Sequence, residues 1–365
     1  MLAYTFRRLL LGIPTILGTL LLLFLVFFLS SSPDSIARNA LNEKAKPEDI
    51  KLWKQKNNYS FSDEKLEEIT KKHFGNDYKK MIEEKKLDQK NVNKWQKDNM
   101  DIPNFFNKHE EGWSKISETT FWQFMKRMVL FDFGDSTYDD ENIWVKISNG
   151  VIPSLAVTVP IFIVGLILSV FISMLAAMFR RTYIDTSVIT ACILGMSIVY
   201  FLYIIGIQFV MAKTLKWFPI SGWSDGHMIY FITLPFIIGT IATIGESTRF
   251  YRTIMVNEIN SDYIRTARAK GLGDIPILTR HLLRNAMIPI LTRVILSLPF
   301  LVMGSLLLES FFGIPGLGRM TVDAINYKDL PTLSSVTYLS SIIYVVANIV
   351  SDISYTVVDP RVRLN

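Results

Sequence analysis

Residues 152–178 read IPSLAVTVPIFIVGLILSVFISMLAAM, a run without a single charged side chain. A helix needs about 20 predominantly apolar residues to cross a hydrocarbon core about 30 Å thick, so this run is long enough to span a membrane. Pro160 lies inside it and would break a soluble helix, but in a membrane bundle neighbouring helices can satisfy the carbonyl that it frees. The run therefore predicts a membrane-spanning helix.

Further apolar runs extend this prediction to an all-α membrane protein with six transmembrane helices. Apolar residues make up 50% of the 365 positions, which is high for a soluble chain of this length. The N-terminal run resembles a secretory signal, but it is long for one and no small-x-small cleavage site follows it. The five further predicted spans cover residues 9–29, 186–212, 227–244, 287–308 and 334–357.

Basic residues beside these runs predict the orientation, because lysine and arginine favour the cytoplasmic side of short flanking segments. The segment 246–286 holds seven of them against four acidic residues. Basic pairs also precede the first run, follow the second and follow the last: Arg7 and Arg8, Arg180 and Arg181, Arg361 and Arg363. All four segments fit six crossings with both termini in the cytoplasm.

Several chemical signatures are absent from the sequence. It contains no Gly-x-x-x-x-Gly-Lys-Ser/Thr loop for ATP and no Gly-x-Ser-x-Gly elbow. The four histidines show no metal-ligand spacing, and the one cysteine, Cys192, cannot form a disulfide within the chain. Ionisable residues are scarce in the predicted spans, with Asp352 as the main exception, so the proton relay of an ion-driven carrier is missing. The energy source is therefore expected on another polypeptide.

The predicted cytoplasmic segment contains DYIRTARAKGLGD at residues 262–274. Ser261 or Asn260 is placed to cap a short helix, and Asp262 would lie in its first turn, where a negative charge is favoured. Gly271 supplies a helix-ending position at which a positive φ is tolerated. The pattern predicts a short helix followed by a tight turn.

A second helix is expected after that turn. Asp274 can cap it, and Pro276 suits one of its early positions. The resulting helix–turn–helix would lie between two membrane spans. A short rigid helix in that place can plug into a groove on a partner, and force along it can tilt the spans. The competing interpretation is that the basic segment only fixes the topology.

The run RTARAKGL at 265–272, followed by HLLRNA at 281–286 and Pro289, resembles the EAA loop of ABC importer permeases. It is similar to the B-type subunit of the oligopeptide, dipeptide and nickel permease family. Importers at large have glutamate where Arg265 stands, whereas the peptide-permease branch looks like this chain. Other matching stretches are RRLLLGIP at 7–14, FDFGDS at 131–136, ESFFGIPGLG at 309–318 with Ala324, Ile325 and Asp329, and DISYTVVDPR at 352–361.

This resemblance implies a type I ABC importer permease fold and assigns roles by position. The helix that docks on the ATPase would comprise Tyr263, Arg265, Ala267, Arg268, Ala269, Lys270 and Gly271. The last outer loop, near the outer gate, would contain Glu309, Pro315, Gly316 and Gly318. The C-terminal signature would contain Asp352, Tyr355, Asp359, Pro360 and Arg361.

The same resemblance implies the biochemical setting. The chain would be no enzyme but the permease subunit of an ATP-driven importer of peptides or peptide-like solutes in a bacterial inner membrane. Its partners would be a second homologous permease, two ABC ATPases or one fused ATPase, an extracytoplasmic solute-binding protein and the bilayer, with no nucleic acid. No cofactor or metal is expected in this chain, because ATP and Mg²⁺ would bind the ATPases. A membrane-anchored receptor or assembly factor acting through 32–149 is the alternative; a channel or ion-driven carrier is disfavoured by the scarce intramembrane charges.

The predicted division is residues 1–31 as the first span, 32–149 as an extracytoplasmic insertion and 150–365 as the permease core. The insertion exceeds the usual loop of the family and resembles that of a subtype linked to microcin C uptake. Apolar positions within 64–97 indicate one or two amphipathic helices, and 121–130 fits an interfacial helix. The insertion is either a solvated cap or a docking surface for the solute receptor. Its aromatic anchors would be Trp95, Phe105, Phe106, Trp113 and Trp122.

Overall fold

The computed structural model describes residues 2–30, 34, 37, 38, 41, 45–56, 60, 62–75, 77–83, 88–98 and 120–358. Within these ranges the chain forms helices, joined by turns and by isolated bridges such as that between Asp135 and Asn142. The predicted all-α class is therefore confirmed for the described part of the chain.

The helices are numbered in chain order. The N-terminal part contains α1 (Leu2–Ser30), α2 (Pro47–Lys56), α3 (Asp63–Phe74), α4 (Tyr78–Glu83), α5 (Gln89–Asp98), α6 (Thr120–Val129) and α7 (Ile143–Met178). The remainder contains α8 (Tyr183–Ser197), α9 (Tyr200–Gln208), α10 (Met228–Ile259), α11 (Asp262–Ala269), α12 (Asp274–Pro276), α13 (Leu283–Met303), α14 (Leu306–Phe312), α15 (Leu317–Asn326) and α16 (Leu330–Val358). Two π-helical turns continue α9 over Phe209–Thr214 and join α12 to α13 over Ile277–Leu282.

Four described segments are long and apolar enough to cross a membrane: α7, α10, the helical run Asp274–Phe312, and Leu330–Ile353 of α16. The pair formed by α8 and α9 with its π turn makes a fifth if its two bent halves count as one span. In α1 the described apolar part is shorter, Leu10–Val26. The described residues thus contain four or five apolar spans, and the count of six stays a prediction.

The predicted third span, 186–212, is wrong as one straight helix. The chain bends by 92° between α8 and α9. Ile198 and Val199 adopt extended backbone angles there, a conformation that β-branched side chains favour. The Tyr203 hydroxyl donates at 2.9 Å to the Gly195 carbonyl, which also accepts from the Ile198 amide, so this bond connects α9 to the end of α8.

The neighbouring spans also differ from their predicted bounds. The helix predicted at 227–244 begins at Met228 and continues to Ile259. The helix predicted at 287–308 ends at Met303, because Gly304 has a φ of +74°, which takes the chain out of the helix. A new helix, α14, begins after Ser305, whose hydroxyl accepts from the Leu308 amide.

The described chain forms two compact units. The first draws on residues within 1–16, 144–323 and 339–365, and it contains two buried apolar clusters. One cluster joins α10, α11, the π turn and α13 through Met255, Ile264, Leu282 and Ala286. The other surrounds Ile204, Leu234, Ile238, Leu308 and Phe312.

The second unit draws on residues within 17–143 and 324–338. The segment predicted to hold one or two amphipathic helices forms three, α3, α4 and α5. Gly75, at φ +94°, ends the first of them, and Trp95 of α5 stacks on His73 of α3 with ring centroids 4.5 Å apart. The helix predicted at 121–130 is present as α6. Trp122 is exposed, whereas Phe105, Phe106 and Trp113 lie outside the described residues.

Candidate functional site

Helix α11 begins where the sequence predicts it, at Asp262. Ser261 occupies the N-cap position, but its hydroxyl donates to the Glu258 carbonyl at 2.5 Å instead of accepting from the first turn. The prediction that a Ser261 side-chain hydrogen bond caps α11 is therefore wrong. The hydroxyl bonds the end of α10 instead. Ile264 and Ala267 are buried in the first cluster and attach one face of α11 to the membrane-length helices.

The predicted glycine turn is present. Gly271 has a φ of +79°, and the amides of Gly271 and Leu272 donate to the carbonyls of Arg268 and Ala267. These bonds satisfy the last carbonyls of α11, as a glycine-ended helix requires. The next helix begins at Asp274 with Gly273 as its N-cap, so the predicted cap at Asp274 is displaced by one residue. Extended backbone at Gly273 fills the capping position without a side chain.

The predicted docking residues divide between two faces of α11. Arg265, Arg268, Ala269, Lys270 and Gly271 are exposed. Ala267 is buried, and the half-buried Tyr263 donates its hydroxyl to the Glu258 carboxylate at 2.7 Å. Burial, with this hydrogen bond in addition, raises the pKa of the Tyr263 hydroxyl, which therefore stays a donor. These two residues hold the helix in place, while the other five form its outward surface.

Two exposed apolar residues lie beside this surface, one at the end of the predicted coupling segment 262–272 and one outside that segment. They are Leu272, directly after the turn, and Ile275 in α12. An apolar pair surrounded by arginines and lysines is typical of the centre of a protein interface. The sequence does not single out Ile275, because the neighbouring Ile277 and Leu278 are equally apolar but buried.

An ion pair between α8 and α10 lies behind the loop and was also missed. Arg252 donates twice to the Asp185 carboxylate, at 2.6 and 2.7 Å, and the Arg181 amide donates to it at 3.1 Å. The Asp185 side chain is only 6% exposed, and the Arg252 side chain is 19% exposed. Because the bond joins residues far apart in the chain, no local pattern predicts it.

We expect Asp185→Asn to destabilise the protein by about 3–5 kcal/mol, since it leaves Arg252 buried without its counter-charge. Adding Arg252→Met to that variant should recover part of the loss, because the orphan charge is gone. Thermal unfolding of the detergent-solubilised protein measures both. Glu67→Gln, which removes exposed pairs with Lys71 and Lys79, is the control and should leave the midpoint unchanged. Equal losses in the single and double variants would show that the pair does not act through its charge.

A second site surrounds Glu309, which is fully buried in α14. Its carboxylate accepts from the amides of Ser305 at 2.9 Å, Gly318 at 2.8 Å and Arg319 at 3.2 Å. The Ser154 hydroxyl of α7 also bonds it and accepts from the Leu317 amide at 2.8 Å. One side chain thus joins the break after α13, the start of α15 and α7.

Three glycines make room for this carboxylate. A side chain at Gly304, Gly316 or Gly318 would collide with Glu309. We call these three glycines, Glu309 and Ser154 the Glu309 cradle. Of the predicted outer-loop residues, Glu309, Gly316 and Gly318 come together in it, whereas Pro315 precedes Gly316 with its side chain exposed. Gly304 and Ser154 were not assigned to this site from the sequence.

Asp329 anchors a third contact, within the second unit. It accepts from the Ser136 hydroxyl at 2.7 Å and from the amide and hydroxyl of Thr137 at 3.1 and 3.0 Å. Tyr138 and Tyr327 stack beside it with centroids 3.8 Å apart. Two stretches that resemble the permease family separately, 131–136 and the segment with Asp329, are therefore in direct contact.

The C-terminal signature is described only in part. Asp352 lies half-buried in α16, and the backbone of Tyr355 continues that helix. Asp359, Pro360 and Arg361 lie outside the described residues. Among the described residues, no three His, Cys, Asp or Glu side chains are grouped so that they could hold a metal ion. The role of the signature and the absence of a metal stay predictions.

Comparison with known proteins places this geometry in context. Residues 141–364 match the profile of the binding-protein-dependent transport system inner membrane component. The glutathione transport system permease protein GsiC of Salmonella typhimurium is 31% identical over 67% of this chain and 78% of its own length. The oligopeptide transport system permease protein AppB of Bacillus subtilis is 32% identical over 68% and 82%. The dipeptide transport system permease protein DppB of the same organism is 29% identical over 71% and 84%.

Proposed function

Because this chain belongs to the family of binding-protein-dependent transport system inner membrane components, as a B-type subunit of the oligopeptide and dipeptide permease branch, we propose that it forms half of a translocation pathway for peptides or peptide-like solutes. It is a multi-pass inner-membrane transport subunit and not an enzyme, and it works with ATPase and binding-protein partners.

The exposed face of α11 carries the coupling part of the proposal. Arg265, Arg268 and Lys270 project from a helix that Ile264 and Ala267 fix against α10 and α13. A groove on an ATPase that holds this face would therefore move both membrane-length helices together. The Asp185–Arg252 bond would pass the motion on to α8. ATP binding and Mg²⁺ are assigned to the ATPases, and no cofactor is assigned to this chain.

The finer organisation is proposed from the sequence pattern. Six spans with both termini in the cytoplasm would place the α11 segment inside and residues 32–149 outside. The predicted division at 1–31, 32–149 and 150–365, with the loop at 246–286, follows from this topology. The outer loop with Glu309, Pro315, Gly316 and Gly318 would lie near the outer gate. A second homologous permease and two ATPases, or one fused ATPase, would complete the complex, with no nucleic acid.

The proposed cargo follows the relatives, whose names mention glutathione, oligopeptides and dipeptides. The long segment before residue 141 supports the subtype with a large insertion, in which that insertion caps the complex or receives the solute-binding protein. The alternative, a receptor acting through 32–149, draws no support from the family match, which begins at residue 141.

Reconstitution tests the proposal. The chain is copurified with a second permease, an ATPase and a binding protein from the same organism and placed in proteoliposomes. We expect ATP hydrolysis to rise when binding protein loaded with a tripeptide is added, together with ATP-dependent uptake of that peptide. Omitting this chain is the control. An assembled, ATP-hydrolysing complex that takes up no peptide would contradict the proposed cargo, and failure to bind any ATPase would contradict the coupling role.

A further inference from the structure

An exposed ion pair joins two membrane-length segments in the first unit. The Arg293 Nη2 of α13 lies 2.6 Å from the Glu246 Oε1 of α10, and the two side chains are 32% and 64% exposed. The Arg293 guanidinium also lies over the Phe250 ring, 4.6 Å from its centroid. Phe250 follows Glu246 by about one helical turn, so both occupy one face of α10.

This face is opposite to the side of α10 that packs against α8 and the first cluster. At the same level, Gly245 lies against the backbone of Cys192 in α8, and Tyr251 and Met255 are buried in the first cluster. The Asp185–Arg252 pair lies on the packed side and bonds two helices of the fold. The Glu246–Arg293 pair differs, because most of the Glu246 side chain is exposed.

The depth of the pair decides what it can face. Glu246 lies about 27 Å along α10 from Met228, at 1.5 Å per residue, so it marks the cytoplasmic end of this span, where the predicted cytoplasmic segment 246–286 begins. Arg293 lies inside the membrane-length run Asp274–Phe312. Charged side chains at such depth are costly against lipid and face a bundle interior or a water-filled cavity. Arg293 lies within the predicted span 287–308, so we expect it, with the face that it shares with Glu246, to meet water, a solute or another polypeptide at the cytoplasmic end of the spans.

We propose that Glu246, Arg293 and Phe250 line the translocation pathway and contact the charged groups of a zwitterionic peptide as it passes. This rests on the proposed function. A free peptide carries an ammonium and a carboxylate, and the pair offers one group of each sign. A lone cation would retain carboxylates and repel ammonium groups, and a lone anion would do the reverse. The neutral pair admits both while holding neither tightly, as passage requires.

Uptake of tripeptides with acidic or basic side chains by the reconstituted complex tests this proposal. Glu246→Gln leaves Arg293 uncompensated, so the ratio of acidic to basic peptide uptake should rise about fivefold, the size of one exposed charge interaction. Arg293→Gln should lower that ratio by a similar factor, and the double variant should restore it. Asp185→Asn is the control and should lower uptake without changing the ratio. Single variants that reduce both peptides equally would overturn the proposal and assign the pair to the contact with the second permease.

Thiol labelling gives a readout that does not depend on the cargo. In a Cys192→Ala background, we expect Phe250→Cys of the assembled complex to react with a membrane-impermeant thiol reagent, and more slowly while peptide is transported. Ile241→Cys is the matched control: Ile241 is 44% exposed but lies about two and a half turns away, on the other side of α10. Reaction at Ile241→Cys and not at Phe250→Cys would overturn the assignment. If Phe250→Cys is labelled in a complex that takes up no peptide, the result would support water access to the face with Glu246 and Phe250. It would contradict only the proposed cargo.

Discussion

Glu309→Ala is expected to destabilise the membrane domain by at least about 3 kcal/mol. The change leaves the amides of Ser305, Gly318 and Arg319 buried without an acceptor, and each unsatisfied buried donor costs about 1–3 kcal/mol. It also removes the side chain through which α14 is bonded to α7 and to the start of α15. Unfolding of the purified protein in increasing SDS, followed by circular dichroism, measures the loss. Glu309→Gln keeps one acceptor and should lose less.

Two further variants make this test specific. Asp323→Ala removes a half-exposed carboxylate of the neighbouring helix α15, paired with Arg319 at 3.5 Å, and should change stability by less than about 1 kcal/mol. Gly316→Ala should destabilise by itself, because the new methyl group meets Glu309. Combined with Glu309→Ala it should cost less than the sum of the two changes, since the truncated side chain gives room. If the stability losses of Gly316→Ala and Glu309→Ala simply added, the steric contact between these two residues in the Glu309 cradle would be contradicted.

Reversing two charges on α11, Arg265→Glu with Arg268→Glu, is expected to abolish coupling while the chain still inserts and folds. Both side chains are exposed, and their loss leaves the buried contacts of Ile264 and Ala267 intact. Like charges brought together in an interface cost several kcal/mol, so ATPase binding should weaken at least about tenfold, and peptide uptake with it. Copurification of the ATPase and uptake by proteoliposomes are the two measurements.

The control for this experiment is Lys213→Glu, a charge reversal at an exposed lysine on the π turn after α9. It lies between the third and fourth predicted spans, away from α11 in the sequence, and should leave ATPase binding unchanged. Unchanged uptake in the Arg265→Glu/Arg268→Glu variant would refute the docking role. Misfolding of this variant would also contradict the prediction, because the exposed side chains of α11 are not expected to stabilise the fold.

The sequence predicts best what depends on local chemistry. The apolar runs predict helices, and Gly271 takes the positive φ that its place at the end of α11 requires. The same local logic misplaces the next cap by one residue, because Gly273 can take an extended backbone without any side-chain bond. Within the Glu309 cradle, resemblance to a family found Glu309, Gly316 and Gly318 but gave no physical reason for their grouping. That reason is steric and becomes visible only in three dimensions.

Long-range polar contacts were beyond the sequence reasoning. Nothing local distinguishes Ser154 from other serines in apolar helices, although its hydroxyl joins α7 to Leu317 and Glu309. Asp185 and Arg252 are separated by two predicted spans, 186–212 and 227–244, and their pairing depends on how α8 and α10 pack. Hydropathy also cannot reveal the break between α8 and α9, since both halves are apolar. The residues that determine the Ser154 contacts, the Asp185–Arg252 pair and the bend between α8 and α9 lie far away in the sequence.

The bend between α8 and α9 bears on how the protein is made. Residues 183–214 leave the ribosome as one apolar stretch, yet in the finished fold α8 has 15 residues and α9 has 9, each short of the roughly 20 that cross a bilayer. The groups that hold the two halves in place are encoded downstream: Gly245 against Cys192, and Leu308 and Phe312 beside Ile204. We therefore expect α8 and α9 to reach their final arrangement only after α10 and α14 have been synthesised.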